Sequence, residues 1–508
     1  MVSPTISRRQ FEFSASAAAL AFFNGRPSSA APSPRQSLLI VLIAEQFRAD
    51  YLTSYFNWFH DAGFKKLMEE GVYFTECQAA SAAFSSSGLA SIATGTIPGS
   101  HGVVAERWFD SSLNQPVTAS GANLLAGTFA EEVLAAEARN RVFAVSLAES
   151  HSGLLTGRAA STNFALDNQG RWASTRGASP PWFTAFQNAN APERYRNVRW
   201  GAINAHAGAP PMRTLSYDPG RPDEFLSLFH ASPFTQYMQF ELLREIIQRE
   251  NLGRGPGLDC VFVSLDSLGA LTYQTGAHSP LVTDMVANCD RQIGGLLSFL
   301  QNRPGPANYQ VVFTGCHGAP VLQSPVKSIA GDEMAHSIDR ALAARYGERH
   351  WLRAYLYPFA YLDLELRQAK VNPREVREFA GQAAVASGKA NAYYTADGDC
   401  SHAGEWQRRL RNSFHSSRSG DLMLSYPPGF VEDYGASPAI SYGSIYNYDV
   451  RVPLIFFGPQ LRSDVIDAPV ELADIAPTLS RALGIAEPSS STGRVLTEAL
   501  PAAVKDRK

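Results

Sequence analysis

Five short stretches of the chain are apolar at almost every position, and the segments between them are apolar mainly at helical spacing. The first run is Ser37-Leu-Leu-Ile-Val-Leu-Ile-Ala44. Others follow at Arg141–Leu147, Asp259–Leu265, Tyr309–Thr314 and Val452–Phe457. Runs this short and this rich in β-branched residues predict strands buried on both faces of a parallel sheet. Helical patterns cover Ala62–Glu70, Phe129–Arg139, Gln236–Arg249, Val282–Leu300 and Leu472–Leu483. The alternation predicts an α/β fold, a doubly wound, mostly parallel sheet with helices on both faces. Two stretches break the rhythm, at about 149–257 and about 323–442, and are expected to be insertions, the first a cap.

In open sheets of this kind, ligands gather beyond the carboxyl ends of the strands. The residues there are Glu45 after the first run, Asp266 after the third and Cys316-His317 after the fourth. Ser85 joins them, just before a helical segment beginning near Gly88. These groups are distant in sequence yet are expected to converge on one edge.

Composition narrows the function. Across 508 residues the charged fraction is 18% and the formal net charge is −3, with no basic stripe, so nucleic acid is a poor partner. Five widely spaced cysteines, odd in number and without a CxxC, are not a disulfide framework. Residues 1–31 differ from the rest. Ser7-Arg-Arg-Gln-Phe11 precedes a short apolar run and then small residues, the order of a twin-arginine export leader. That run is far below the roughly 20 residues a membrane span needs. The expectation is an exported protein, periplasmic or extracellular, with one α/β domain over 37–502 and no transmembrane segment.

Several segments together carry a resemblance. They are Ile43-Ala-Glu-Gln-Phe-Arg-Ala-Asp-Tyr-Leu52, Gly63-Phe-Lys-Lys-Leu-Met-Glu-Glu-Gly71 and Ala93-Thr-Gly-Thr-Ile-Pro-Gly-Ser-His-Gly102. Further along come Phe414-His-Ser-Ser-Arg-Ser-Gly-Asp-Leu422, the stretch Tyr446–Gly458, and Asp474-Ile-Ala-Pro-Thr-Leu479. In this order they resemble the alkaline phosphatase superfamily, in its type I phosphodiesterase and phosphate-irrepressible phosphatase branches. The resemblance implies metal-assisted displacement at phosphorus, with two ions about 4 Å apart and a Thr or Ser nucleophile.

Carried over position by position, the implied site is uneven. Ser85, in Phe84-Ser-Ser-Ser-Gly-Leu89, falls at the nucleophile position, with Ser86 and Ser87 leaving the register open by a residue. The bland alternative is a serine capping the following helix. At the first ion, Glu45 replaces the family's Asp, and Cys316-His317 replaces Asp-His. Glu, Cys and His with Ser85 or water could hold one zinc ion, although a buried cysteine at a strand end is commonly packing. At the second ion Asp266 remains, but Ala270 and Tyr442 stand where the family has its two His residues. That ion is expected to be lost unless His278 substitutes. Glu106 replaces an Asn that contacts phosphate, with Arg107 as its nearest candidate partner. Ala148-Glu149-Ser150 aligns with a Lys-x-Arg pair, so Ala148 and Ser150 remove two positive charges.

Three readings follow. One is a catalytically silent binding module of the phosphoester hydrolase lineage. A second is a redirected hydrolase of small phosphoesters using one zinc and Ser85. The third is a conventional enzyme completed by His278. A sulfatase is excluded, because Ser85-Ser-Ser-Gly-Leu89 lacks the Cys/Ser-x-Pro-x-Arg pattern.

Overall fold

The computed structural model describes residues 37–206, 209–303, 309–321, 327–363, 371–433 and 442–501. The leader expected over 1–31 lies outside them. Ten strands form the central sheet. They are β1 (Leu38–Ala44), β2 (Val72–Gln78), β3 (Arg141–Val145), β4 (Thr162–Leu166) and β5 (Trp172–Arg176). The others are β6 (Asp259–Leu265), β7 (Tyr309–Gly315), β8 (Arg451–Phe457), β9 (Asp464–Ile466) and β10 (Val470–Glu471). Their order is β9-β2-β8-β7-β1-β6-β3-β4-β5, with β10 paired to β2. Five neighbours, β4, β3, β6, β1 and β7, run parallel. Antiparallel β5 and β8 flank them. The fold is the α/β architecture that the patterning predicted.

Strand β1 shows why the sequence folds this way. Side chains on a strand alternate between faces, and every residue of β1 is buried. Leu39, Val41 and Ile43 enter one apolar cluster, whereas Leu38, Ile40, Leu42 and Ala44 enter the other. The first cluster is completed by helices α1 (Ser85–Thr94) and α6 (Ile475–Leu483). The second is completed by α3 (Pro233–Arg249), α4 (Asp266–Thr275) and α5 (Pro280–Asn302). Each large aliphatic side chain buried here contributes about 1.5–3 kcal/mol, so a polar substitution in β1 would cost the layer that its side chain enters.

The two irregular stretches take different courses. Within 149–257, β4 and β5 widen the central sheet and α3 packs on α5 and against β6. Within 323–442, a separate four-stranded sheet forms in the order Leu352–Leu356, Phe359–Leu362, Leu422–Ser425 and Ala392–Thr395. Helices Gly331–Tyr346 and Pro373–Ala386 pack on it around a third apolar cluster. All five cysteines are free, four of them buried.

Candidate active site at the carboxyl edge of the sheet

The parallel strands β1, β6 and β7 end at the same level, since Ala44 pairs with both Leu265 and Gly315. Glu45, Asp266 and His317 therefore emerge side by side from three neighbouring strands. The chain turns sharply at Gln46, whose φ of +55° lies in the left-handed region that non-glycine residues seldom adopt. The Gln46 side-chain amide donates to the Gly269 carbonyl at 3.3 Å, tying that turn to α4.

Gly269 explains how a glutamate fits where the resemblance implies an aspartate. A Cβ added at Gly269 would stand 2.4 Å from Cδ and Oε2 of Glu45. The bare backbone of α4 thus accommodates the extra methylene. Glycine within a helix costs about 1 kcal/mol relative to alanine, and close approach to Glu45 is its physical reason here.

Ser85 is the first residue of the fully buried helix α1. Its hydroxyl donates to Glu45 Oε1 and lies 2.8 Å from His317 Nε2. His317 Nδ1 donates to the Gly318 carbonyl at 2.7 Å, which leaves Nε2 unprotonated on the side of Ser85. Burial lowers the His317 pKa to about 3, so the ring is neutral. Tyr442 stacks on it at 4.4 Å between ring centroids. Ser86, the neighbouring candidate in register, is bound elsewhere: its N–H donates to Glu106 Oε1 at 2.8 Å, and its hydroxyl donates to Glu106 Oε2. Ser87 turns back to the Phe84 carbonyl at 3.1 Å.

The ligand groups assemble differently from the set read in the sequence. Glu45, His151 and Asp266 each offer a donor atom, all within 4.8 Å of one another. Cys316 does not join them. It is fully buried in the apolar cluster beneath the site, with its backbone against Gly88 of α1. Burial, and then the charges of Glu45, Asp266 and Glu106, raise its thiol well above the usual range. His317, the other residue read as a ligand after β7, is also outside the Glu45–His151–Asp266 group and lies against Ser85 instead. His278 is exposed, and the charge it faces is Asp50. Ala270 packs at the margin of the second apolar cluster. Arg107 is exposed, and the Glu106 carboxylate is held by Ser86.

His151 was the residue missed. It lies in the first turn of helix α2 (Glu149–Thr156), which follows β3 at the same sheet edge. The signal was available, since the rule that picked Glu45 and Asp266 also applies beyond β3. Comparison with a Lys-x-Arg pair instead drew attention to Ala148 and Ser150, one residue short. His151 Nδ1 is 3.0 Å from Asp266 Oδ1. The same carboxylate accepts from Ser264 Oγ and from the Leu147 N–H.

These contacts fix the electrostatics. Burial opposes charge on His151, but Asp266, Glu45 and Glu106 outweigh it and lift its pKa to about 10. Burial raises Glu45 to about 7, with His151 pulling down and Asp266 and Glu106 pushing up. Three carboxylates thus share one imidazole. One nitrogen and two carboxylate oxygens form a donor set that zinc accepts, with bonds of about 2.0–2.2 Å. Donors within 4.8 Å of one another can close on such an ion by small side-chain rotations.

Comparison with known proteins now bears on this geometry. Residues 39–443 match the model of the type I phosphodiesterase / nucleotide pyrophosphatase family. The chain belongs to that family. It is 24% identical to alkaline phosphatase PafA of Elizabethkingia meningoseptica, over 92% of this chain and 95% of the relative. It is 23% identical to alkaline phosphatase PhoV of Synechococcus elongatus, over 92% and 93%. The crystal structure of wild-type PafA superposes with a TM-score of 0.82 at 22% identity, covering 92% of this chain and 99% of that one. Family membership makes the chain one of the alkaline phosphatase and phosphodiesterase hydrolase lineage.

Proposed function

We propose that this protein is a phosphoester hydrolase with a redirected activity, in which Ser85 is the nucleophile and Glu45, His151 and Asp266 hold one zinc ion. The observation that carries the reading is the union of two features at one carboxylate. Glu45 bonds directly to the Ser85 hydroxyl and also belongs to the buried Glu–His–Asp group. A second ion is not part of this reading, since Ala270 and Tyr442 supply no ligand of the usual kind.

When bound, zinc would supply the positive charge that favours a serine alkoxide and a more electrophilic phosphorus. The chain's own residues do the rest. Placement at the start of α1 aims Ser85 Oγ out of the helix, where the helix dipole favours negative charge. Glu45, which accepts the hydrogen bond of the Ser85 hydroxyl, can take that proton as Oγ attacks phosphorus and hand it to the ester alcohol as it leaves, with neutral His317 alongside Oγ at 2.8 Å. Water then releases from Ser85 a phosphomonoester when the substrate is a diester, or phosphate when it is a monoester, and restores the serine hydroxyl. Glu106 occupies the helix end where a phosphate oxygen would otherwise bind. A singly charged diester suffers less repulsion there than a doubly charged monoester, so the reading favours diesters.

Hydrolysis of nitrophenyl mono- and diesters by wild type and Ser85→Ala tests this. Loss of at least about 100-fold in the variant is expected for an essential nucleophile. Equal inertness of the two would favour the second reading, a silent binding module, which the apolar replacements at Ala270 and Tyr442 support. The leader-like Ser7-Arg-Arg-Gln-Phe11 supports export of the mature chain. No helix among the described residues is long and apolar enough to cross a membrane.

A further inference from the structure

The whole-chain charge of −3 conceals an uneven distribution. From Arg158 to Arg213 the chain carries seven arginines, no lysine and only two carboxylates, Asp167 and Glu193. The arginines are spaced singly, so no run of like charge marks them in sequence. Both carboxylates are already engaged. Glu193 bonds to Arg171 at 2.5 Å, and Asp167 accepts from the N–H groups of Gln169 and Arg171 in its own turn. Arg194, Arg196 and Arg199 are left exposed and close together, and among the described residues none of them pairs with a carboxylate.

The segment that carries them is held firmly. The Arg196 guanidinium lies over the Tyr217 ring, 3.8 Å from its centroid, and the Tyr217 N–H donates to Asn197 Oδ1 at 3.1 Å. Arg199-Trp200 pairs antiparallel with Arg213-Thr214. Trp200 is buried, and its indole N–H donates to Asp284 of α5 at 2.7 Å. The Ile203 N–H donates to the same carboxylate at 2.6 Å. The cationic face is thus tied to a core helix.

The loop of this hairpin has a different character. Gly201–His206 and Ala209–Met212 contain no Asp, Glu, Lys or Arg, and Gly201, Ala205, Pro210 and Pro211 are exposed. A planar guanidinium binds phosphate oxygens through paired N–H donors. An uncharged loop of small residues beside such groups can enter the head-group layer of a bilayer without desolvating a charge. A nucleic acid would use the arginines but gain nothing from the loop.

We propose that Arg194, Arg196 and Arg199, with the exposed alanine and proline loop beside them, dock this protein on the surface of an anionic phospholipid bilayer. Docking needs neither zinc nor Ser85, so it stands or falls apart from the hydrolase reading.

Cosedimentation of the mature chain with phosphatidylglycerol/phosphatidylcholine vesicles, against vesicles of phosphatidylcholine alone, measures it. A guanidinium beside an anionic surface strengthens binding by about fivefold. Arg194→Gln/Arg196→Gln/Arg199→Gln should therefore weaken binding to the anionic vesicles by at least about 30-fold. Arg194→Gln/Arg199→Gln, which leaves the Tyr217 stack intact, should weaken it by at least about tenfold at an unchanged Tm. Removing three exposed arginines from the other insertion, in Arg340→Gln/Arg345→Gln/Arg353→Gln, should change it by less than about twofold, because screening confines the effect to nearby charges. Wild-type protein that ignores the anionic vesicles, or binds neutral ones equally, would overturn the proposal. Equal losses in the two triple variants would also overturn it, by marking a diffuse charge effect. Tighter retention on a DNA duplex than on vesicles at matched phosphate concentration would overturn it in favour of a nucleic-acid face.

Discussion

Strand β6 carries a buried aspartate at each end, and the fold treats them in opposite ways. At the amino end, Asp259 is gripped by Arg141 of β3 through two hydrogen bonds of 2.8 and 3.0 Å, and the Gly253 N–H donates to it at 2.8 Å. Its charge is met in full by a forked cation and a backbone donor. At the carboxyl end, Asp266 shares His151 with Glu45 and Glu106, and among the described residues no arginine or lysine bonds to any of the three. One imidazolium there meets three carboxylates, and the excess of buried negative charge that it leaves uncompensated is costly. The closed end therefore reads as structure, and the open end as a place that takes a cation from outside the chain.

Breaking the closed end should have the largest effect. Arg141→Met leaves Asp259 buried without its cation, a change that costs about 3–5 kcal/mol where the pair is wholly buried. The Arg141 side chain is 38% exposed, so the lower end is expected. Urea unfolding measures this, and activity per folded molecule should be unchanged. A fall in activity without a fall in stability would show that the two ends are not separable.

A third buried acid sharpens the contrast by having too little compensation and no place in the ligand group. Asp449 is pushed to about 7 by burial, against hydrogen bonds from Ser444 and the more distant charge of Arg48. Its Oδ1 has no hydrogen-bond partner among the described residues. A carboxyl that holds its proton more tightly when folded adds stability below about pH 4 and loses it as pH rises through about 7. Asp449→Asn should therefore gain on wild type by up to a few kcal/mol between pH 4 and 7.5. Melting curves across that range check it, and parallel pH profiles for the two proteins would refute it.

Gly269→Ala tests the open end without touching a donor. The added Cβ collides with Glu45, so Glu45 or α4 must move, at about 1–3 kcal/mol. The expected result is weakened zinc binding, seen as a smaller zinc-induced rise in Tm. An undiminished rise would mean that Glu45 is not a ligand.

Much of this was legible in sequence. The strand predicted at Asp259–Leu265 has the observed bounds, and the apolar run from Ser37 differs by one residue at its start. Such strands announce themselves because both faces are buried. Strand β2 was silent: Thr75, Glu76 and Gln78 interrupt Val72-Tyr-Phe, and the strand lies outside the parallel core. The site was legible as an edge but not as a set. Sequence order placed Cys316 beside His317, yet only the folded chain shows one in an apolar cluster and the other against Ser85. His151 belongs to the set through a helix start, whose facing the sequence does not carry.

The central claim is that the open end holds one ion through Glu45, His151 and Asp266. Metal content after zinc reconstitution and exhaustive dialysis tests it most directly, in wild type, His151→Ala and Cys316→Ala. About one zinc per chain in wild type and in Cys316→Ala, with almost none in His151→Ala, is the expected outcome. No zinc in wild type, or zinc that survives in His151→Ala and disappears in Cys316→Ala, would contradict it.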